Sequence, residues 1–378
     1  MYRVLHVFTD DKFFDRTASF FDAVPGIVNT YCFYTSDKEY RFKYIKNTDK
    51  VTLVTDLKEY YKILKDKDND IVYFHSLPPT FYRYVLQIPR QTKVIWWAWG
   101  FDIYYSYRYC PPLVPLELYK PLTRKAVRKH LDLVGILKHI FYGFSYLHDM
   151  HVRRKAISRI DYFTPVLPIE YDEILRSCRF FHAEPFMIRS GPGTYDLSTF
   201  NVCTEPRNIL IGNSLTLTNN HLDIFATIAG CRLHENQKYI IPVSYGTDID
   251  KTVIKDAFRR DDVIWLDDFI PYAEYIKIHE SITHAVFGVI RQQAMGNVFQ
   301  CLKQGVKVFL YSESLVYRQL KSMGFTVYTI EDISEDSFIT PLDPQYAKEN
   351  YRIFCENYAD NVEYAYEEIM RIMSDRND

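Results

Sequence analysis

The sequence has no Cys-x-x-Cys pair, and its seven cysteines lie scattered at positions 32, 110, 178, 203, 231, 301 and 355. That excludes a disulfide framework and a zinc ribbon, and fits free, buried thiols in a reducing compartment. No histidine and cysteine cluster has zinc spacing, so no metal ligand is expected. No uninterrupted apolar run reaches the roughly 18–20 residues of a membrane span. The opening MYRVLHVFTDD reads as a strand and not as a signal peptide. A net charge of −2 over 378 residues argues against a general polyanion binder. No internal repeat, low-complexity tract or GxGxxG motif is present, and the last absence disfavours a nicotinamide site.

What is present is a chain long enough for two domains, with 47% hydrophobic residues to build their cores. Aromatics make up 16%, including 32 Tyr, side chains that offer a flat face and a hydroxyl to sugar rings and interfaces. Positive charge is concentrated between Arg108 and Arg159, where eleven Lys or Arg stand against three Asp or Glu. Four histidines and the apolar stretches LDLVGIL and HIFYGFSYLH are interleaved there. A basic, aromatic segment of this kind suits an anionic membrane surface or a pyrophosphate. Nucleic acid is disfavoured, because no reading module accompanies it.

Alternation of short strands and helices predicts parallel sheets with right-handed crossovers. In the first half the strands are Tyr2–Phe8, Val28–Tyr34, Ile71–His75, Lys93–Trp99 and Tyr162–Leu167, with helices such as Asp56–Lys65 and Leu116–His130. A Pro- and Gly-containing linker follows, and strict alternation resumes at RNILIGNS. The expected fold is α/β, two facing Rossmann-like doubly wound domains with a cleft between them and a C-terminal helix. The boundaries are residues 1–185 for the first domain, carrying the basic segment 108–159. Residues 186–206 are the linker, 207–345 the second domain and 346–378 the C-terminal helix. Ligands should bind at the C-terminal strand ends.

Three segments carry chemistry. In ILIGNSLTLTNNH a strand ends in Gly212, Asn213 and Ser214 before a helix with Asn219 or Asn220 at its N-cap. Gly212 permits close approach, and the amides after it suit a phosphate. In IIPVSYG, Tyr245 lies at the next strand end, placed to stack on a base or bond a phosphate. In GVIRQQAMGNVFQCLKQG, Arg291 offers a planar fork to a diphosphate, while Gln292, Gln293 and Asn297 offer amides to sugar hydroxyls. The acidic runs DKDND (66–70) and DID (248–250) resemble metal-holding Asp-x-Asp patterns but read as a turn and a helix start.

The segment KVIWWAWGFDIYYSYRY, 93–109, places Trp97, Trp99, Gly100 and Asp102 together. An acid among aromatics should have a raised pKa and could act as a base, or could cap a helix beginning at Ile103. His6, His75, Asp10 and Asp11 at other strand ends are rival bases.

WAWGFDIYY, ILIGNSLTLTNNH, IIPVSYG and RQQAMGNVFQCLKQG, in this order, resemble the bacterial TDP-N-acetylfucosamine:lipid II N-acetylfucosaminyltransferase family. The resemblance implies a GT-B-type glycosyltransferase moving 4-acetamido-4,6-dideoxy-galactose from a TDP-sugar to a polyprenyl-pyrophosphate glycan. It implies a cytoplasmic enzyme, peripheral on the inner face of the bacterial plasma membrane, working in cell-envelope polysaccharide synthesis. By motif, Gly212, Asn213, Ser214, Tyr245, Arg291, Gln292 and Gln293 fall on the donor side, and Trp99, Gly100 and Asp102 on the acceptor side. With Trp97 and His75 added to the acceptor side, Asp102 is the expected base and Arg291 the partner of the leaving diphosphate. No cofactor or metal is expected. Departures after Ser214, before Tyr245 and at Asn297 leave the donor sugar and acceptor open. Two other readings stand beside this one: a nucleotide-sugar epimerase on the same fold, and a non-catalytic sugar-binding protein; Gln292 and Gln300 at an i, i+8 spacing could mark such decay, but the resembled family already has Gln at the first position, which discounts it.

Overall fold

The computed structural model describes residues 1–12, 14–105, 111–129, 143–189, 200, 202–246 and 250–374. The chain divides into two compact units. Unit 1 comprises Met1–Pro115, Val134–Thr194 and Tyr358–Asp378, and unit 2 comprises Leu116–Leu133 and Tyr195–Asn357.

Unit 1 is built on a seven-stranded parallel sheet in the order β3-β2-β1-β4-β5-β6-β7. The strands are β1 (Tyr2–Phe8), β2 (Ile27–Tyr34), β3 (Val51–Val54), β4 (Ile71–His75), β5 (Lys93–Trp97), β6 (Tyr162–Thr164) and β7 (Glu184–Pro185). β4 is buried along its whole length, as a central parallel strand covered on both faces must be, and so it reads as an unbroken apolar run. Strand order reverses between β1 and β4, where Phe8 pairs with His75. β3 and β7 were not among the expected strands. Four residues and two residues respectively, they lie at the sheet's edges and carry too little pattern to be read. The acidic run 66–70 serves the turn before β4, with Arg3 N donating to Asp70 Oδ2 at 2.9 Å.

Unit 2 repeats the scheme with six parallel strands in the order β10-β9-β8-β11-β12-β13. They are β8 (Asn208–Ile211), β9 (Tyr239–Pro242), β10 (Val263–Leu266), β11 (Ile282–Phe287), β12 (Lys307–Leu310) and β13 (Tyr328–Thr329). The order reverses between β8 and β11. Helices Met295–Lys303 and Leu315–Ser322 fall where the alternation predicts, and Gly305 at φ 70° follows the first as its stop. Asp250 caps the helix Lys251–Ala257 by accepting from Thr252 N at 2.8 Å. Asp248 and Ile249, the rest of the DID run, lie outside the described residues.

Two boundaries differ from expectation. Leu116–Leu133, within the basic segment, belongs to unit 2 and not to the first domain. It carries the helix Pro121–Lys129. Asp223 supplies the cap from 100 residues away, accepting from Leu122 N at 2.8 Å, Thr123 N at 2.9 Å and Thr123 Oγ1 at 2.7 Å. The aromatic part, residues 130–142, lies outside the described residues, as does most of the expected linker. The C-terminal helix is two helices. Pro344–Tyr358 falls almost wholly within unit 2, whereas Val362–Ser374 returns to unit 1, where Ala365, Ile369 and Ile372 pack with Phe20, Phe21 and Tyr73. No helix among the described residues is long and apolar enough to cross a membrane.

Candidate functional site

The switch point of unit 2 gathers the predicted donor residues. Gly212 leaves β8 at φ 66°, and a Cβ there would lie 2.7 Å from Nε2 of His221. Only glycine lets the chain turn this closely over the first residue of the helix His221–Ile228. Asn213 follows, its Nδ2 donating to the Tyr245 hydroxyl at 2.9 Å from beyond β9. From the end of β11 come Arg291, 8% exposed, and Gln292, 7% exposed. Gln293 accepts from Thr218 Oγ1 at 2.7 Å, which ties the β11 loop to the β8 loop.

Three buried polar atoms here have no hydrogen-bond partner among the described residues: Asn213 Oδ1, His221 Nε2 and Gln292 Oε1. Each such group costs about 1–3 kcal/mol unless something satisfies it. All three stand on the segments that follow the strand ends, the place where doubly wound sheets bind ligands. Burial lowers the His221 pKa to about 4, so the ring is neutral there.

Several expected roles are corrected. Two of the amides after Gly212 are engaged within the loops themselves. Gly212 N bonds Val286 O at 2.8 Å, Asn213 N bonds Asn219 Oδ1 at 3.2 Å, and Leu215 N bonds Tyr245 O at 2.8 Å. The Ser214 hydroxyl is buried and engaged with Thr216 Oγ1 and with Asn219 Nδ2, so it holds the loop together. Asn297 points to the helix Tyr272–Glu280, with Oδ1 3.2 Å from His279 Nε2. Asn220 sits at the helix N-cap but caps nothing. In the left-handed region at φ 52°, its amide reaches Leu118 O at 3.1 Å and Gly288 O at 2.7 Å, and accepts from Lys120 N at 2.8 Å.

The structure adds two residues to this edge. His221 closes the quoted motif, but nothing in a helix's first residue announces a buried ring nitrogen without a partner. Lys120 arrives with the segment strapped to Asn220. Its Nζ lies 4.5 Å from the Tyr311 ring centroid and 3.1 Å from Glu313 Oε1, just past β12. A sequence separation of 100 residues or more hides that placement.

In unit 1 the predicted acceptor residues meet at the ends of β4 and β5. His75 and Trp97 are register partners, with ring centroids 5.5 Å apart. The Trp97 and Trp99 centroids are also 5.5 Å apart. Gly100, at φ 86°, opens the short helix Phe101–Tyr104.

The expected base, Asp102, is engaged by the loops around it. Its carboxylate accepts from Leu77 N at 2.9 Å, Trp96 Nε1 at 2.8 Å and Trp99 N at 3.0 Å, and it is 3% exposed. Burial raises its pKa, as expected for an acid among aromatics, and these three bonds oppose the rise. The cavity of 40 Å³ beside it, walled by Tyr82, Leu113 and Arg153, has room for a few water molecules and not for a sugar ring. Asp102 therefore anchors the loops after β4 and β5, close to the helix-capping alternative.

Comparison with known proteins fits this geometry. Residues 192–370 match the family described as 4-alpha-L-fucosyltransferase, glycosyl transferase group 56. The fold is similar to that of the lipopolysaccharide outer core galactosyltransferase WaaB in its apo form, at 12% identity and TM-score 0.58, covering 99% of this chain and 100% of that one. It is similar to a glycosyltransferase from Rickettsia africae, at 10% identity and TM-score 0.60, covering 99% and 98%. It is also similar to HepE from Anabaena in complex with UDP, at 9% identity and TM-score 0.61, covering 99% and 100%. The chain is a glycosyltransferase of the two-Rossmann-domain type, similar over residues 192–370 to the group 56 fucosyltransferases.

Proposed function

We propose that the enzyme moves a deoxy- or acetamido-sugar from a nucleoside-diphosphate donor held by unit 2 to a polyprenyl-pyrophosphate-linked glycan, as a step in bacterial surface polysaccharide synthesis. The observation that carries this reading is the convergence of Arg291, Gln292, Asn213 and His221 at the β8/β11 switch point, inside the matched region. The matched family is named for fucose, a deoxy-sugar, and WaaB for a lipopolysaccharide core, a lipid-linked glycan. Thymidine as the nucleoside follows from the motif resemblance.

Glycosyl transfer builds positive charge on the anomeric carbon and negative charge on the departing diphosphate. The Arg291 guanidinium supplies the opposing charge, as a fork with fixed donor geometry. Gln292 and Asn213 turn buried amide oxygens toward hydroxyls of the sugar or ribose. The reaction is proposed to run without a resident metal; turnover that survives chelation supports this, and turnover restored only by a divalent ion refutes it.

The acceptor reading rests on the basic segment. Its described part, the helix Pro121–Lys129, carries Arg124 and Lys125 on unit 2 and would meet anionic headgroups at the cytoplasmic face of the membrane. Pelleting with anionic vesicles that salt reverses is the expected result. The function is tested by nucleotide release. Release only when donor and lipid-linked glycan are both present marks the transferase, whereas interconversion of donor alone marks an epimerase.

A further inference from the structure

At the switch point of unit 1, two imidazoles meet across β1 and β4. His6 Nδ1 lies 2.9 Å from His75 Nε2, and His6 Nε2 lies 3.0 Å from Oδ1 of Asn29 on β2. The Asn29 amide cannot be reversed, because its Nδ2 donates to the Phe21 carbonyl at 3.0 Å. Its oxygen therefore faces His6, and His6 must carry its proton on Nε2. Burial keeps that ring neutral, with its pKa lowered to about 4, so His6 Nδ1 is bare. His75 must then donate from Nε2, which leaves the lone pair on its Nδ1.

That Nδ1 is buried and has no hydrogen-bond partner among the described residues, on a residue 3% exposed. The ring is held in place by Phe8, stacked at 4.1 Å and 6°. Ser76, the next residue, is held at φ 82° by its N–H to Trp97 O at 2.9 Å and by its hydroxyl against Thr9. A non-glycine residue in that region is strained, and such strain concentrates at functional sites. Trp97, the register partner of His75, also has a buried Nε1–H with no partner among the described residues. One bare acceptor and one bare donor on paired residues match a hydroxyl, which both donates and accepts.

We propose that His75 Nδ1 takes the proton of the attacking acceptor hydroxyl, with His6 and Asn29 as positioning residues that fix its tautomer. This rests on the transferase reading. The hydroxyl O–H bond breaks toward Nδ1 while its oxygen bonds the anomeric carbon. The bond from that carbon to the diphosphate oxygen breaks, and its electrons leave with the nucleoside diphosphate. The imidazolium keeps its Nε2–H on His6 Nδ1; burial disfavours its charge, so it returns the proton to water once the product departs. The arrangement is a base oriented by a second group, which is in turn oriented by a third.

The test compares wild type with His75→Gln and Asn29→Ala, reading kcat, acceptor KM and the thermal shift given by nucleoside diphosphate. The expected result for His75→Gln is a fall in kcat of at least about 100-fold with the nucleotide shift unchanged. Asn29→Ala leaves both rings in place but frees the tautomer, and should lower kcat about tenfold with KM unchanged. A folded His75→Gln within threefold of wild-type kcat overturns the proposal. Should that variant fail to fold, wild-type kcat in Asn29→Ala overturns it. Absence of transfer in wild type itself would instead count against the transferase reading.

Discussion

Asn213 and Tyr245 join the ends of two neighbouring strands, the amide Nδ2 donating to the tyrosine hydroxyl at 2.9 Å. The tyrosine is 54% exposed, so the bond orients a surface ring and, through it, the buried Oδ1 of Asn213. Tyr245→Phe removes one neutral hydrogen bond, worth about 0.5–1.5 kcal/mol. Donor Kd should rise about 2- to 10-fold with little change in Tm. Calorimetric titration checks this, and unchanged or tighter donor binding counts against Asn213 as a donor contact.

Gly212 and Gly296 make opposite predictions. Alanine at 212 would hold a side chain at φ 66° with its Cβ 2.7 Å from His221 Nε2. A Tm loss equivalent to about 1–3 kcal/mol is expected, together with weaker donor binding. Gly296 stands in the first turn of a helix with nothing within 4 Å of an added Cβ. Gly296→Ala should raise stability by roughly 0.5–1 kcal/mol. A Gly212→Ala protein as stable as wild type would contradict the close approach.

Asp102 is read as an anchor, so Asp102→Asn should act on stability. An asparagine must turn its NH2 toward one of the three donors that the carboxylate now accepts. The loss is about 1–3 kcal/mol in a buried site. The thermal shift given by nucleotide should persist, because that site lies in unit 2. Wild-type Tm in this variant would refute the anchoring role.

Acid should destabilise the fold through its histidines. Burial lowers the pKa of His6, His221, His279 and His284 to about 4, and holds that of His75 well below its ordinary value. Unfolded histidines titrate near 6.5, so between that pH and 4 the unfolded chain binds more protons than the native one. Stability is full above about pH 6.5 and falls as pH drops, by up to about 1.4 kcal/mol per unit for each group. Asp102, shifted upward, opposes this weakly. Denaturant midpoints between pH 7 and 5 check the sign; a rising midpoint toward pH 5 contradicts neutral burial.

The strand and helix order was legible because central parallel strands are apolar runs bounded by turns. Tyr2–Phe8 and Ile71–His75 were read to the residue. The Gly-Asn-Ser and Arg-Gln-Gln loops were legible because their residue types suit strand ends and little else. What escaped depends on partners remote in sequence. Asp102 reads as a base until Leu77 N, 25 residues away, is seen to occupy it. Pro121–Lys129 reads as part of the first domain until Asp223 is seen to cap it. The His75 tautomer follows only from three side chains on three strands, which no local pattern contains.

The central claim is that the β8/β11 edge around Arg291 holds a nucleoside diphosphate. The most direct measurement is a thermal-shift panel of nucleosides and nucleoside diphosphates on wild type and Arg291→Ala. Ligand at 100 times its Kd should stabilise the native state by about 2.7 kcal/mol, a rise of several degrees. The account predicts a shift with one nucleoside diphosphate, thymidine diphosphate first among them, that disappears in Arg291→Ala. No shift with any of them, or an equal shift in the variant, would contradict it.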